Sequence, residues 1–232
     1  MGTLVLVRHG ESQWNLSNRF TGWVDVPLSK NGIKEAEKCA AHCMRYHYTS
    51  AYASKLMRAQ ETLAIILSRH ANTGIFQHFD KGEHAQWFFH SNKDKRGDVP
   101  VCTHIALNER YYGMLQGMDK KSAEKKYGNK KVFAWRRGYS DRPPQGESLE
   151  DTHKRMQGYF VKHILSKVQR GETVLVTAHG NILRGAIKHL ENITDHDIAF
   201  IDLPEAKPLV YQYSRGVYKR IEGEYRFDRP LR

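Results

Sequence analysis

Two histidines sit in the same short phrase far apart in the chain, Arg8-His9-Gly10 and Ala178-His179-Gly180. An unprotonated imidazole can attack phosphorus directly, which divides one hard phosphoryl transfer into two easier ones through a covalent phosphohistidine. Arg8 and Arg58 are fixed cations able to balance charge on the equatorial oxygens of a transferring phosphoryl group, and a protonated second histidine would add to them. Glu109 follows an apolar stretch and is placed to pass a proton to or from the hydroxyl that attacks or leaves. His, Cys, Asp and Glu show neither zinc-ligand spacing nor the paired carboxylates of a magnesium site. The chemistry these residues permit is metal-free phosphoryl transfer.

The histidines need elements that hold them. Leu4-Val5-Leu6-Val7 and Thr173-Val174-Leu175-Val176 are apolar runs that each end at a His-Gly turn, the pattern of a strand buried on both faces. In sheets covered by helices, ligands bind beyond the carboxyl ends of the strands. If the two strands are neighbours, both imidazoles stand over one edge of one sheet. The loop Trp14 to Trp23 carries hydroxyls, amides and Gly22, whose backbone N–H groups suit a phosphate or carboxylate, and buried Trp14 and Trp23 are expected to pin it.

Ser29 is a plausible N-cap for a helix running to about Tyr46. A short strand, Ser50 to Ala53, leads to a helix ending near His70 with Arg58 in its first turn. A cation buried there should pair with a carboxylate or meet an anion. Regular patterning lapses from Asn72 to Val101, which reads as an inserted surface segment holding the trio Trp87-Phe88-Phe89. Removal of His84 to Asp98 is expected to disturb assembly more than chemistry. Helices follow near Lys120 to Tyr127 and Lys131 to Arg137. Ser148 with Asp151 can cap a long helix to about Gln169, the second His-Gly helix reaches about Leu190, and Leu209 to Tyr213 and Val217 to Ile221 look β-like. Alternating strands and helices predict an α/β protein: one domain over 1–232, a three-layer α/β/α sandwich with a mainly parallel central sheet.

The chain has 232 residues and a formal net charge of +12, which favours anionic ligands. Acids are interspersed with the bases and no nucleic-acid-binding motif is present, so specific nucleic acid binding is not expected. Cys39, Cys43 and Cys102 suit small residues in a reducing cytosol. No apolar run nears the ~18 residues that span a bilayer, so a cytoplasmic location without membrane attachment is expected.

The ordered set Leu6-Val7-Arg8-His9-Gly10-Glu11-Ser12, Trp14-Asn15, Phe20-Thr21-Gly22-Trp23, Arg58-Ala59-Gln60-Glu61-Thr62, Leu107-Asn108-Glu109-Arg110-Tyr111-Tyr112-Gly113, Gly146-Glu147-Ser148-Leu149 and Ala178-His179-Gly180-Asn181 closely resembles the cofactor-dependent phosphoglycerate mutases of the histidine phosphatase superfamily. The resemblance implies that His9 is phosphorylated, that Glu109 donates and accepts the proton, and that His179, Arg8 and Arg58 stabilise the transferring group. It further implies a phosphate and carboxylate pocket shaped by Ser12, Asn15, Thr21, Gly22, Arg110, Tyr111, Tyr112, Lys120, Arg136, Arg137, Gly180 and Asn181. Interconversion of 3-phosphoglycerate and 2-phosphoglycerate, priming by 2,3-bisphosphoglycerate and assembly as a homodimer or homotetramer come with it. A bisphosphoglycerate synthase or phosphatase is the alternative within the superfamily, and an idle polyanion-binding scaffold the alternative outside it. Two departures stand out: the long segment before Glu109, and Leu203-Pro204-Glu205-Ala206-Lys207-Pro208 where the family carries a Thr-Gly approach to the late strand.

Overall fold

The computed structural model describes residues 1–70, 74–77 and 98–227. In chain order the elements begin with β1 (Gly2–Arg8), α1 (Gln13–Leu16), α2 (Lys30–Cys43), β2 (Ser50–Ala53), α3 (Met57–Ser68), β3 (Gly74–Gln77) and β4 (Val99–Thr103). There follow α4 (Lys120–Tyr127), α5 (Asn129–Arg137), α6 (Leu149–Tyr159), α7 (Ser166–Gln169), β5 (Thr173–Ala178) and α8 (Gly180–Glu191). The chain closes with β6 (Ile201–Asp202), β7 (Pro208–Ser214), β8 (Val217–Glu222) and β9 (Arg226–Phe227). Seven strands form one sheet in the order β3-β4-β2-β5-β1-β7-β8. The first five are parallel, while β7 and β8 add antiparallel at one edge.

Strand β1 shows why the sheet has helices on both faces. Leu4 and Leu6 enter one buried cluster with Val174, Val176, Met156 and Leu183, while Val5 and Val7 enter another with Leu175, Cys39, Leu63 and Ile66. Alternate side chains point to opposite faces, so an unbroken apolar run must serve two cores. Helices α2 and α3 cover one face, and α6 and α8 the other.

The expected caps are present. Ser29 accepts the Gly32 amide at the start of α2, and Ser148 and Asp151 form a reciprocal capping box at α6. The long helix does end at Gln169, but a π-helical stretch, Phe160–Leu165, separates α6 from α7. Trp14 and Trp23 are only half-buried; Trp23 still pins the loop through its Nε1, which donates to the Glu109 carbonyl at 2.5 Å, and Phe20 adds a buried anchor by packing with Leu115, Ala123, Val132 and Trp135 under α4 and α5. The irregular segment is also narrower than the patterning predicts: residues 74–77 pair in parallel with 99–102, because β4 supplies the ladder that a four-residue edge strand cannot announce in its own sequence. Trp87, Phe88 and Phe89 lie outside the described residues.

Candidate active site

The two His-Gly turns meet because β1 and β5 are adjacent, parallel and in register. Arg8 pairs opposite Ala178, so the next residue on each strand is a histidine, and the His9 amide donates to the Ala178 carbonyl at 3.0 Å. The imidazole centroids are 5.0 Å apart with the rings inclined by 60°. The turn after His9 is tight: a Cβ on Gly10 would come within 2.4 Å of the Gly32 carbonyl oxygen.

His9 is 4% exposed. Its Nδ1 lies 2.7 Å from the Gly10 carbonyl, an acceptor only, so Nδ1 carries the proton and Nε2 keeps the lone pair. Burial, then Arg58 and Arg8, hold its pKa well below the ordinary 6.5 against the opposing pull of the Gly10 carbonyl. His179 is wholly buried, with Nε2 2.7 Å from Ser54 Oγ and no partner for Nδ1 among the described residues. Burial and then Arg58 lower its pKa well below 6.5 too. Both shifts run against a protonated second histidine as long as no anion is bound, because two arginines and a low-dielectric pocket disfavour a third cation. Positive charge at this floor comes from arginine.

Arg58 is 1% exposed and has no carboxylate within salt-bridge distance among the described residues, which leaves the second of the two sequence expectations, an anion. Its guanidinium donates to the carbonyls of Gly22, at 2.8 Å, and Val24, at 3.0 Å. Gly22 adopts φ +55°, a turn that brings this carbonyl to Arg58, and a Cβ there would strike Gln116 Oε1 at 2.3 Å. Burial pushes the Arg58 pKa down to about 10, with Glu109 and Asp25 partly restoring it. Even so, the group remains cationic at neutral pH.

Glu109 accepts its own neighbour's amide, Arg110 N, at 2.6 Å and Asn181 Nδ2 at 2.9 Å. Both bonds fall on Oε1, which orients the carboxylate toward the cavity with Oε2 bearing no bond among the described residues. Asn181 also donates to Tyr112 OH at 3.2 Å, and the Arg184 guanidinium fixes the amide by donating to its Oδ1 at 3.1 Å. Arg110 lies over the Tyr112 ring at 4.8 Å and donates to the Arg136 carbonyl, leaving Nε and Nη1 buried without partners. Burial raises the Tyr112 phenol, but Arg110 and the bonds from Arg110 and Asn181 outweigh it and lower its pKa overall.

These groups enclose a cavity of about 150 Å³ at the carboxyl ends of β1 and β5. Its walls include Arg8, Arg19, Arg58, Lys120, Arg136, Arg137 and Arg184, seven cationic groups against the carboxylates of Glu109 and Asp202. His9, Asn15, Thr21, Gly22, Tyr112, Gly180 and Asn181 also reach it. Four expected residues stand behind the wall. His179 backs His9; Ser12 caps α1 and fixes Asn15 through bonds of 2.5 and 3.1 Å; Arg110 supports Glu109 and Tyr112; exposed Tyr111 packs edge-on against Trp23. Sequence reasoning missed Arg19, Arg184, Asp202, Leu203 and Ser54. Arg184 was readable, since it lies three residues after Asn181 and so on the same face of α8. The others depend on distant loops meeting.

Such an arrangement presents a neutral nucleophile, a proton carrier and a surplus of cations to a small, multiply charged anion. Among the described residues, no three His, Cys, Asp or Glu side chains gather as metal donors, and no helix is long and apolar enough to cross a membrane.

Residues 4–78 and 90–220 match the family described as the histidine phosphatase superfamily (branch 1). A protein of Methanosarcina acetivorans named 2,3-bisphosphoglycerate-dependent phosphoglycerate mutase is 42% identical, covering 97% of this chain and 96% of its own. A protein of the same name from Pseudoalteromonas atlantica is 44% identical, covering 91% and 94%. Among solved structures, an α-ribazole phosphatase from Shigella flexneri superposes with a TM-score of 0.71 at 19% identity over 94% of both chains. A mycobacterial glucosyl-3-phosphoglycerate phosphatase gives 0.72 at 19% identity over 95% and 97%. The structural neighbours share the fold, and the sequence relatives narrow the kinship. The chain belongs to the histidine phosphatase superfamily and, within it, to the family of 2,3-bisphosphoglycerate-dependent phosphoglycerate mutases.

Proposed function

We propose that this chain interconverts 3-phosphoglycerate and 2-phosphoglycerate by way of a phosphohistidine at His9. The observation that carries this reading is the state of His9: neutral, with its Nδ1 proton committed to Gly10, at a cavity walled by seven cations. The Nε2 lone pair forms a bond to phosphorus as the bond from phosphorus to the substrate oxygen breaks. Glu109 gives a proton to the leaving oxygen and takes one from the attacking hydroxyl in the reverse step. Arg8 and Arg58 neutralise the equatorial oxygens, and His179, held by Ser54, packs against His9 and stabilises the transferring group.

The residues fit 2,3-bisphosphoglycerate as primer, because the buried Nε–H donor of Arg8 has no partner among the described residues and the cationic excess matches a ligand with two phosphates. Arg8, Arg58 and the start of α8 would hold the phosphate nearest His9, and Lys120, Arg136 and Arg137 the far phosphate or carboxylate. When bound, the bisphosphate supplies the phosphoryl group that charges His9. Assembly as a homodimer or homotetramer in the cytoplasm belongs to the same proposal.

The test is a coupled assay from 3-phosphoglycerate to 2-phosphoglycerate in excess chelator, with and without the bisphosphate. Turnover that survives the chelator, rises with the primer and vanishes in His9→Ala supports the reading. Folded protein that only releases inorganic phosphate would replace it with a phosphatase.

A further inference from the structure

The loop from Leu203 to Ala206, where the chain departs from the family's Thr-Gly, grips Arg8 at three points. Arg8 Nη1 donates to the Leu203 carbonyl at 2.6 Å, Nη2 donates to Glu205 Oε1 at 2.8 Å, and the Arg8 carbonyl accepts the Ala206 amide at 2.9 Å. This leaves Arg8 Nε buried and without a partner among the described residues, beside Gly180, where an added Cβ would lie 3.7 Å from it. One edge of the guanidinium is thus tied to a carboxylate, and Arg8 is among the residues that line the cavity reached by His9. Ala206 closes the grip in the left-handed region at φ +47°, a conformation that costs an alanine about 1 kcal/mol and persists because the surrounding contacts impose it.

We propose that Glu205 is a specificity-determining internal anion: it shares Arg8 with the bound phosphate and weakens the hold on ligands in proportion to their charge. The proposal rests on the phosphoryl-transfer reading of the cavity. A fixed negative charge one guanidinium away from a phosphate repels a bisphosphate more than a monophosphate, since the energy scales with the product of the charges. The site thereby releases its most charged ligand sooner than the same cations would allow without Glu205.

The charged surroundings of Glu205 agree. Burial raises its carboxyl pKa, Arg8 lowers it, and Glu35 on α2 and Glu11 in the turn after β1 raise it again, with Lys120 on α4 opposing them. On its far side a second cavity of about 460 Å³ brings Lys38 and His42 of α2, Lys207 of its own loop and Glu222 of β8 near it. Glu35 and Glu11 are themselves tied, the first to the Glu11 amide at 2.9 Å and the second to Ser29 Oγ at 2.5 Å. Among the described residues, Arg8 is the one cation that forms an ion pair with Glu205. The raised pKa means that an anion arriving at Arg8 draws a proton onto Glu205 as pH falls toward the carboxylate range.

The experiment compares wild type with Glu205→Gln, which keeps the reach and removes the charge, and Glu205→Asp, which keeps the charge. Inorganic sulfate, whose own charge is constant over the range, is titrated by tryptophan fluorescence and thermal shift at about pH 8 and again at a lower pH, toward the carboxylate range. Glu205→Gln should bind sulfate about fivefold more tightly at the higher pH, with the gap closing at the lower one, while Glu205→Asp stays near wild type. The gain for 2,3-bisphosphoglycerate should exceed that for 3-phosphoglycerate. Equal or weaker sulfate binding in folded Glu205→Gln, or equal gains for both phosphoglycerates, overturns the proposal. Sulfate titration reads Arg8 without turnover, so a failed mutase assay would overturn the catalytic reading and leave the role of Glu205 separately decided.

Discussion

The floor of the cavity and its rim carry charge in different ways. At the floor, His9, His179 and Arg58 are 4%, 0% and 1% exposed, and each is fixed by backbone carbonyls or a buried hydroxyl. At the rim, Lys120, Arg136 and Arg137 are half-buried; Arg136 lies 3.6 Å from Glu124 and Arg137 3.2 Å from Asp202, pairs open to solvent. Burial makes the floor's electrostatics strong and slow to rearrange, whereas screening keeps each rim pair within about 1 kcal/mol and exchangeable. A reaction needs fixed charge at the phosphorus, and a ligand that must enter and leave needs exchangeable charge around it. The difference teaches which side chains act on turnover and which on capture.

The largest test of that division is Glu109→Gln, which keeps the hydrogen bonds from Arg110 N and Asn181 but cannot carry the proton. kcat should fall by about 10³-fold with little change in KM. A drop confined to KM would move Glu109 to the rim. Next, Arg58→Met should lower kcat by about 10²-fold and reduce Tm, since the Gly22 and Val24 carbonyls lose their donor. Retained kcat would show that Arg8 alone neutralises the phosphoryl oxygens.

Arg137→Ala probes the other side. KM for 3-phosphoglycerate should rise about tenfold, more steeply at low salt, with kcat within about threefold. Equal losses in kcat and kcat/KM would erase the distinction between floor and rim. pH separates them as well. His9 and His179 refuse protons when folded but accept them near pH 6.5 when unfolded, so stability is complete above that value and declines as pH falls from it toward their lowered folded pKa values. Thermal melts should therefore lose ground below about pH 6.5, and the double variant His9→Asn/His179→Asn should flatten that slope. An unchanged slope would assign the loss to other histidines. The smallest effect belongs to the loop joining floor and rim: Ala206→Gly should stabilise the fold by about 0.5 to 1 kcal/mol by relieving the left-handed alanine, read as a rise in Tm.

Much of this was visible in one dimension. The runs Leu4 to Val7 and Thr173 to Val176 announced doubly buried strands, and Ser29 and Ser148 with Asp151 announced helix starts, because periodicity and capping are local. Arg8, His9, Arg58, Glu109 and Asn181 stand out as polar groups placed at the ends of such elements. Buried Arg58 shows the limit: its type and burial were readable, its partners were not, since the carbonyls of Gly22 and Val24 come from a loop some 34 residues away. The half-burial of Trp14 and Trp23 and the edge strand Gly74–Gln77 escaped for the same reason.

The sequence by itself determined which side chains are chemically able and which local elements present them, because both follow from residue type and short-range spacing. Only the tertiary structure decided that β5 lies directly beside β1 in register, bringing His179 within 5.0 Å of His9. It also decided that burial and the arginines lower the pKa of both rings, that Arg184 sets Asn181 against Glu109, and that Glu205 holds Arg8. Those outcomes depend on burial and on the meeting of segments up to 197 residues apart, and neither quantity is carried by any single stretch of the chain.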